Sequence, residues 1–125
     1  MRKINICAGN LSVEAELNDT TSANKIWEAL PITGSANTWG DEIYFEIPVS
    51  ADLESDAIEE VEVGTLGYWP PGKAFCIFFG KTPVSTGEKP RAYSPVNIVG
   101  SVTGDPDEFK KVTSGEEVKI ERGTA

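Results

Sequence analysis

Ile4-Asn5-Ile6 and Leu11-Ser12-Val13-Glu14-Ala15-Glu16-Leu17 place an apolar residue at every second position, the period of a strand with one buried face. Gly9-Asn10 between them suits a tight hairpin turn, because both residues tolerate positive φ. The period then changes. Ala23, Ile26, Trp27 and Leu30 stand at i, i+3, i+4 and i+7, which predicts a helix at about 20 to 30. Asp19, Thr20 or Thr21 can cap it, and Pro31 stops it, because the residue before a proline is pushed out of the helical region.

Alternation returns in Glu42-Ile43-Tyr44-Phe45-Glu46-Ile47, with Ile43, Phe45 and Ile47 inward and Tyr44 sharing the opposite face with two glutamates. Pro48 belongs at the end or edge of that strand, since it has no N–H to donate. The acidic stretch from Asp52 to Glu60 reads as a connector, and Val61 and Val63 resume a strand pattern up to Gly64. Leu66 to Trp69 and Ala74 to Phe79 flank a Pro70-Pro71-Gly72 turn. Residues 80 to 95 carry three prolines and two glycines and read as a long loop, a place where function concentrates. Val96, Ile98 and Val102 mark a further strand. Asp105-Pro106 opens a short helix at about 105 to 112, and Val118 and Ile120 a last strand. About seven short strands with two helices predict a mainly β fold, a closed antiparallel β-barrel with helices at its ends.

At 125 residues the expectation is one domain spanning 1–125. A net charge of −9 argues against nucleic acid and anionic membranes as partners, because both recruit clustered Lys and Arg. The N-terminal stretch has no continuous apolar run of the kind a secretory signal needs, and no window approaches a membrane span, so a cytoplasmic protein is expected. In a reducing compartment buried free thiols at Cys7 and Cys76 are favoured over a bridge, with a disulfide the alternative if the source is a hyperthermophile.

Enzyme signatures are few. The chain has no histidine, which removes the Ser-His and Cys-His nucleophile pairs and imidazole metal ligands. Asp52-x-Glu54-x-Asp56 imitates a calcium loop but has Ala57 where glycine is required, so it reads as a solvated acidic face. No phosphate-binding glycine loop is present, and neither cofactor nor metal is expected. What remains is aromatic. One face of the run from Ala74 to Phe79 holds Phe75, Ile77 and Phe79, the other Ala74, Cys76 and Phe78. Only one face can fill the interior, so the other needs a cover, either the helix bearing Ile26 and Trp27 or a ligand. The proline turn could present Tyr68, Trp69 and Lys73. Trp39 and Tyr44 carry an apolar body with a polar tip suited to binding, and Asn37, Asn97 and Arg91 could add hydrogen bonds.

These strings also resemble a known family. INICAGNLSVEAELNDTTSANKIWEAL (4–30) and NIVGSVTGDPDEFKKVTSGEEVKIER (97–122) are similar to the two ends of cyclophilins. ANTWGDEIYFEIPV (36–49), VGTLGYWPPGKAFCIFFGKTP (63–83) and SPVNIVG (94–100) resemble the small prokaryotic cyclophilin-like proteins, a largely uncharacterised group. The resemblance implies a cyclophilin-like barrel. Cyclophilin isomerases twist a prolyl amide, whose barrier is roughly 18–20 kcal/mol, with an arginine supporting the carbonyl side.

This chain departs from them where that chemistry lies. SANTWGDEIYFEI has no arginine, the Gln-Gly-Gly-Asp string is missing, and the motif alignment puts Ala74 at the catalytic glutamine and Cys76 at the pocket phenylalanine. The resulting expectation is a barrel that binds a small-molecule or peptide ligand without standard isomerase catalysis, through Trp39, Tyr44, Trp69, Lys73, Phe75, Arg91 and Asn97. Asp41, Glu42 and Glu46 nearby favour an apolar or cationic ligand over an anion. The alternatives are an isomerase with Lys73 or Arg91 in place of the missing arginine, and a homo-oligomer associating through WPPGKAFCIFF.

Overall fold

The computed structural model describes residues 2–123. Ten strands follow in chain order: β1 (Arg2–Ala8), β2 (Leu11–Leu17), β3 (Ile32–Ser35), β4 (Asn37–Thr38), β5 (Glu42–Glu46), β6 (Ile58–Glu60), β7 (Thr65–Trp69), β8 (Ala74–Phe78), β9 (Arg91–Val102) and β10 (Glu117–Arg122). Helix α1 (Thr21–Ala29) lies between β2 and β3. Two 3₁₀ segments, Pro70–Gly72 and Pro106–Lys111, account for the proline turn and the short helix. The fold is mainly β.

The hydrogen-bonded path runs β3-β10-β1-β2-β9-β7-β8-β5-β4, all antiparallel, with β6 attached to β9. The expected closed barrel is therefore corrected. The two ends of the path, β3 and β4, share no ladder among the described residues. They are consecutive segments separated only by Ala36, and β4 is two residues long, so the chain itself rather than a row of hydrogen bonds connects the two edges. The main core draws on β3 at one end and on most strands of the path: Ile4, Ile6, Val13, Leu17, Ile32, Phe45, Leu66, Tyr68, Phe75, Val99 and Ile120 all belong to it. Gly34 of β3 lies so close to Phe45 of β5 that a Cβ there would strike the ring.

Helix α1 starts where its cap predicts. The Thr20 hydroxyl oxygen accepts from the Ala23 N–H at 3.3 Å, and Glu54 adds a second cap by accepting from the Ser22 N–H at 3.1 Å. Ala23 and Ile26 are buried in the main core, and Trp27 packs against it. The short helix adds Phe109, whose ring lies 6.1 Å from that of Phe79.

Four local expectations are revised. Ile32–Ser35 and Asn37–Thr38 form two edge strands, β3 and β4, that their weak alternation conceals. The strand expected at Val61 and Val63 lies just before them, as β6. The long loop ends at Pro90, because β9 begins at Arg91 and accommodates Pro95, opposite the irregular register of β6. The acidic stretch is not simply solvated: Glu54 caps α1 and donates its N–H to the Asn97 side-chain oxygen at 2.8 Å.

Candidate functional site

The strand that raised the question about its two faces answers it directly. All five residues of β8 are buried, Phe75 and Ile77 in the main core with Phe79 just beyond, and Ala74, Cys76 and Phe78 in a second apolar cluster on the opposite face of the sheet. That face is covered neither by α1 nor entirely by protein. Val61, Ala92 and Val96 lie over it, brought by the segment after β6 and by the first half of β9. Beside them is a cavity of about 260 Å³, lined by Trp39, Glu42, Tyr44, Trp69, Cys76, Tyr93 and Val96.

Each wall has a local cause. Trp39 and Glu42 close the β4–β5 hairpin: the Trp39 N–H donates to the Glu42 carbonyl at 2.9 Å, and Gly40 provides the positive φ of 60° that the turn requires. Glu42 and Tyr44 then share one face of β5, two residues apart, and Tyr44 pairs with Cys76 across β8. The proline turn seats Trp69. Its indole lies over Gly72, where a Cβ would come within 2.8 Å of the ring, and its Nε1–H donates to the Ser94 hydroxyl at 2.6 Å. Tyr93, 74% exposed, stands at the rim with its ring edge-on to Trp39 at 6.2 Å and to Trp69 at 6.3 Å.

The polar group in this apolar setting is Glu42. It is 5% exposed, and its Oε1 has no hydrogen-bond partner. Burial pushes its carboxyl up from 4.5 to about 7, with the adjacent Cys76 thiol pulling the other way. The thiol is a weak donor that also lies 3.8 Å from the Ala74 carbonyl, and no stronger donor reaches Oε1. Burial first, and then the Glu42 carboxylate, raise Cys76 well above the ordinary thiol range, so it is a poor nucleophile at neutral pH. Chemically the cavity offers ring faces, one carboxyl group that changes charge near neutrality, and no positive charge of its own.

Of the seven candidate residues, Trp39, Tyr44 and Trp69 meet here. The other four do not. Phe75 is fully buried in the main core, 5.7 Å from Phe45. Lys73, at a left-handed φ of 47°, lines a different depression with Ser50, Asp52 and Pro70. Arg91 donates to Glu59 at 2.6 Å. Asn97 is fully buried and ties β9 to α1 and the acidic stretch, donating to the Ser22 hydroxyl and the Asp52 carbonyl at 2.9 Å each. Tyr68, offered as a ligand contact, is interior, with its hydroxyl donating to the Val49 carbonyl at 2.6 Å. Asn37 is exposed and donates to the Tyr44 carbonyl. Cys7, expected to be buried, is half-buried on the outer side of β1, and both cysteines are free.

Glu42 and Tyr93 line the cavity without having been singled out as candidates by the sequence. Alternation put Glu42 opposite Ile43 and therefore outside. Only its pairing with Phe78 shows that this outside is another core. Tyr93 was hidden by Pro90 and Pro95, which made its strand resemble a loop.

No helix among the described residues is long and apolar enough to cross a membrane. No curated protein matches the chain. Among solved structures, a hypothetical protein from Archaeoglobus fulgidus, determined in solution, is 39% identical, with a TM-score of 0.82 over 98% of this chain and 95% of that one. The profile of the cyclophilin-like family matches residues 2–121, so the chain belongs to the cyclophilin-like family.

Proposed function

We propose that the chain works as one cyclophilin-like domain that binds a small molecule, or one side chain of a peptide, in the aromatic cavity beside β8, without standard prolyl isomerase catalysis. The observation that carries this is the cavity itself: four aromatic rings around one buried, unpaired carboxyl oxygen. At about 260 Å³ it lies just below the usual range for drug-sized ligands, so it suits a compact group. Tryptophan and tyrosine bodies supply contact area at low entropic cost, and the proline turn and the Trp69–Ser94 hydrogen bond hold one wall in place beforehand.

The positions of the guanidinium groups speak against isomerisation. The chain has three arginines. Arg2 donates to the Asn18 carbonyl and Asn24, Arg122 to the Trp27 carbonyl, and Arg91 to Glu59. None lines the cavity, and Lys73 is on another surface. Electrostatic support for a twisted prolyl amide therefore has no evident source.

Two measurements test the reading. Fragments and proline-containing peptides titrated against the NMR signals of the tryptophan indoles should shift Trp39 and Trp69 and leave Trp27 unmoved; no ligand shifting either would sink the binding proposal. An exchange assay on a prolyl peptide should show little or no acceleration, and a rate at the level of ordinary cyclophilins would overturn the second half.

A further inference from the structure

We infer that the cavity is built for a small organic cation, an ammonium or methylated ammonium group, whose charge rests on Glu42 while the rings of Trp39, Tyr44, Trp69 and Tyr93 surround it. This rests on the cavity being a binding site and adds the charge of what it binds. First, Glu42 Oε1 is buried at the cavity wall with no hydrogen-bond partner in range, the weakly donating Cys76 thiol being the one polar group of the lining beside its carboxyl. A buried acceptor left unpaired destabilises a fold, so one that persists points to a partner from outside the chain. Second, the rings of Trp39 and Trp69 meet that of Tyr93 at 72° and 89°. Rings set nearly at right angles present faces in more than one direction around one space, and it is the ring face that attracts a cation. Third, no Lys or Arg lines the cavity, so the carboxylate has no internal counter-ion, and a net charge of −9 draws cations toward the surface.

The charge state of Glu42 provides a signature. The titratable groups lining the cavity with it are Tyr44 of its own strand, Cys76 of β8 and Tyr93 of β9, none of them cationic. Its chain neighbour Asp41 packs against Gly80, and Lys81 on the adjoining loop is paired with Glu88 at 3.3 Å. A permanent cation binds the ionised form. With the carboxyl at about 7, about one molecule in thirty carries the charge near pH 5.5, so affinity there falls by about thirtyfold from its value near pH 8.5.

Choline and its uncharged isostere 3,3-dimethyl-1-butanol are the probes, each titrated into the full chain with the Trp39 and Trp69 indole signals followed by NMR. Choline should shift both signals, bind about thirtyfold more tightly near pH 8.5 than near pH 5.5, and exceed the alcohol by about tenfold or more at the higher pH. E42Q should lose the pH dependence and most of the affinity. Tyr93→Ala changes a side chain that is 74% exposed and so leaves folding intact; it should weaken choline by about tenfold. An alcohol that binds as tightly as choline, or a choline affinity indifferent to pH, overturns the cation and leaves a neutral binding site. Silence from both probes also overturns it, and the fragment titration above then decides on the cavity separately.

Discussion

The two faces of β8 are built from the same alternating strand and end in different states. On one, Phe75 and Ile77 are fully buried in a core that draws side chains from most of the sheet and from α1. On the other, Ala74, Cys76 and Phe78 are buried too, under Val61, Ala92 and Val96 with Tyr44, Trp69 and Ile98 only partly buried beside them, and the cavity lies where that cover thins. The inner face is enclosed because the sheet wraps around it. The outer face depends on one short strand and half of another. Burial alone therefore does not separate structural residues from receptive ones. What separates them is whether the chain supplies partners: every large side chain of the inner face has apolar neighbours, and Tyr68 there has its hydrogen bond, whereas Glu42 on the outer face has none for Oε1.

That contrast can be broken from either side. The largest effect should come from the inner face: Phe75→Ala should cost about 3–5 kcal/mol in chemical denaturation, while Tyr93→Ala at the outer rim should change stability by less than about 0.5 kcal/mol. Equal costs would mean that the two faces are one cooperative core.

Next comes Glu42. Its folded carboxyl, at about 7 against 4.5 when exposed, holds its proton more tightly than the unfolded chain does. The stability it contributes is fully present below about pH 4.5 and is lost as pH rises through about 7, in total about 3 kcal/mol. Denaturation curves of the wild type and E42Q should move apart by that order between pH 4.5 and 8, in favour of the variant. Parallel pH profiles would place the carboxyl in water.

A smaller change should follow Ser94→Ala, which removes the acceptor from Trp69 Nε1. Stability should fall by about 1 kcal/mol, and ligand-induced shifts at the Trp69 indole should weaken. If they persist unchanged, the hydrogen bond does not position that wall. The smallest effects belong to Arg91→Ala and Lys73→Ala. The Arg91–Glu59 pair is about one-third exposed, so its loss should cost no more than about 1 kcal/mol. Neither substitution should alter the cavity's indole signals, and a loss of binding in either would restore those residues to the site.

Much of the architecture is set by local pattern. Alternation in Ile4–Leu17, Glu42–Ile47 and Ala74–Phe79, helical spacing from Ala23 to Leu30 and the proline-led short helix are short-range signals, and the strands, α1 and the 3₁₀ helix appear where they predict. The family strings go further, because they record a whole topology. Trp39, Tyr44 and Trp69 were legible as candidates for the same reason: large amphipathic rings beside strand ends are conspicuous in any sequence.

What alternation cannot say is what lies above a face. A period of two assigns Glu42 and Ile43 to opposite sides of β5, but whether the side bearing Glu42 is solvent or a second core depends on β8 pairing with β5 and on β9 crossing over, contacts between residues far apart in the chain. The same is true of Asn97, which the sequence offers as a ligand hydrogen-bonding group and which becomes a buried clasp only once Ser22, Asp52 and Glu54 are brought to it. The edges of the sheet are a third case, since β3 and β4 carry too few alternating residues to be seen and gain their strand form from β10 and β5. Sequence alone determined the strands and the rings that could serve a site. Tertiary pairing decided which rings meet, and that they meet over a carboxyl group left without a partner.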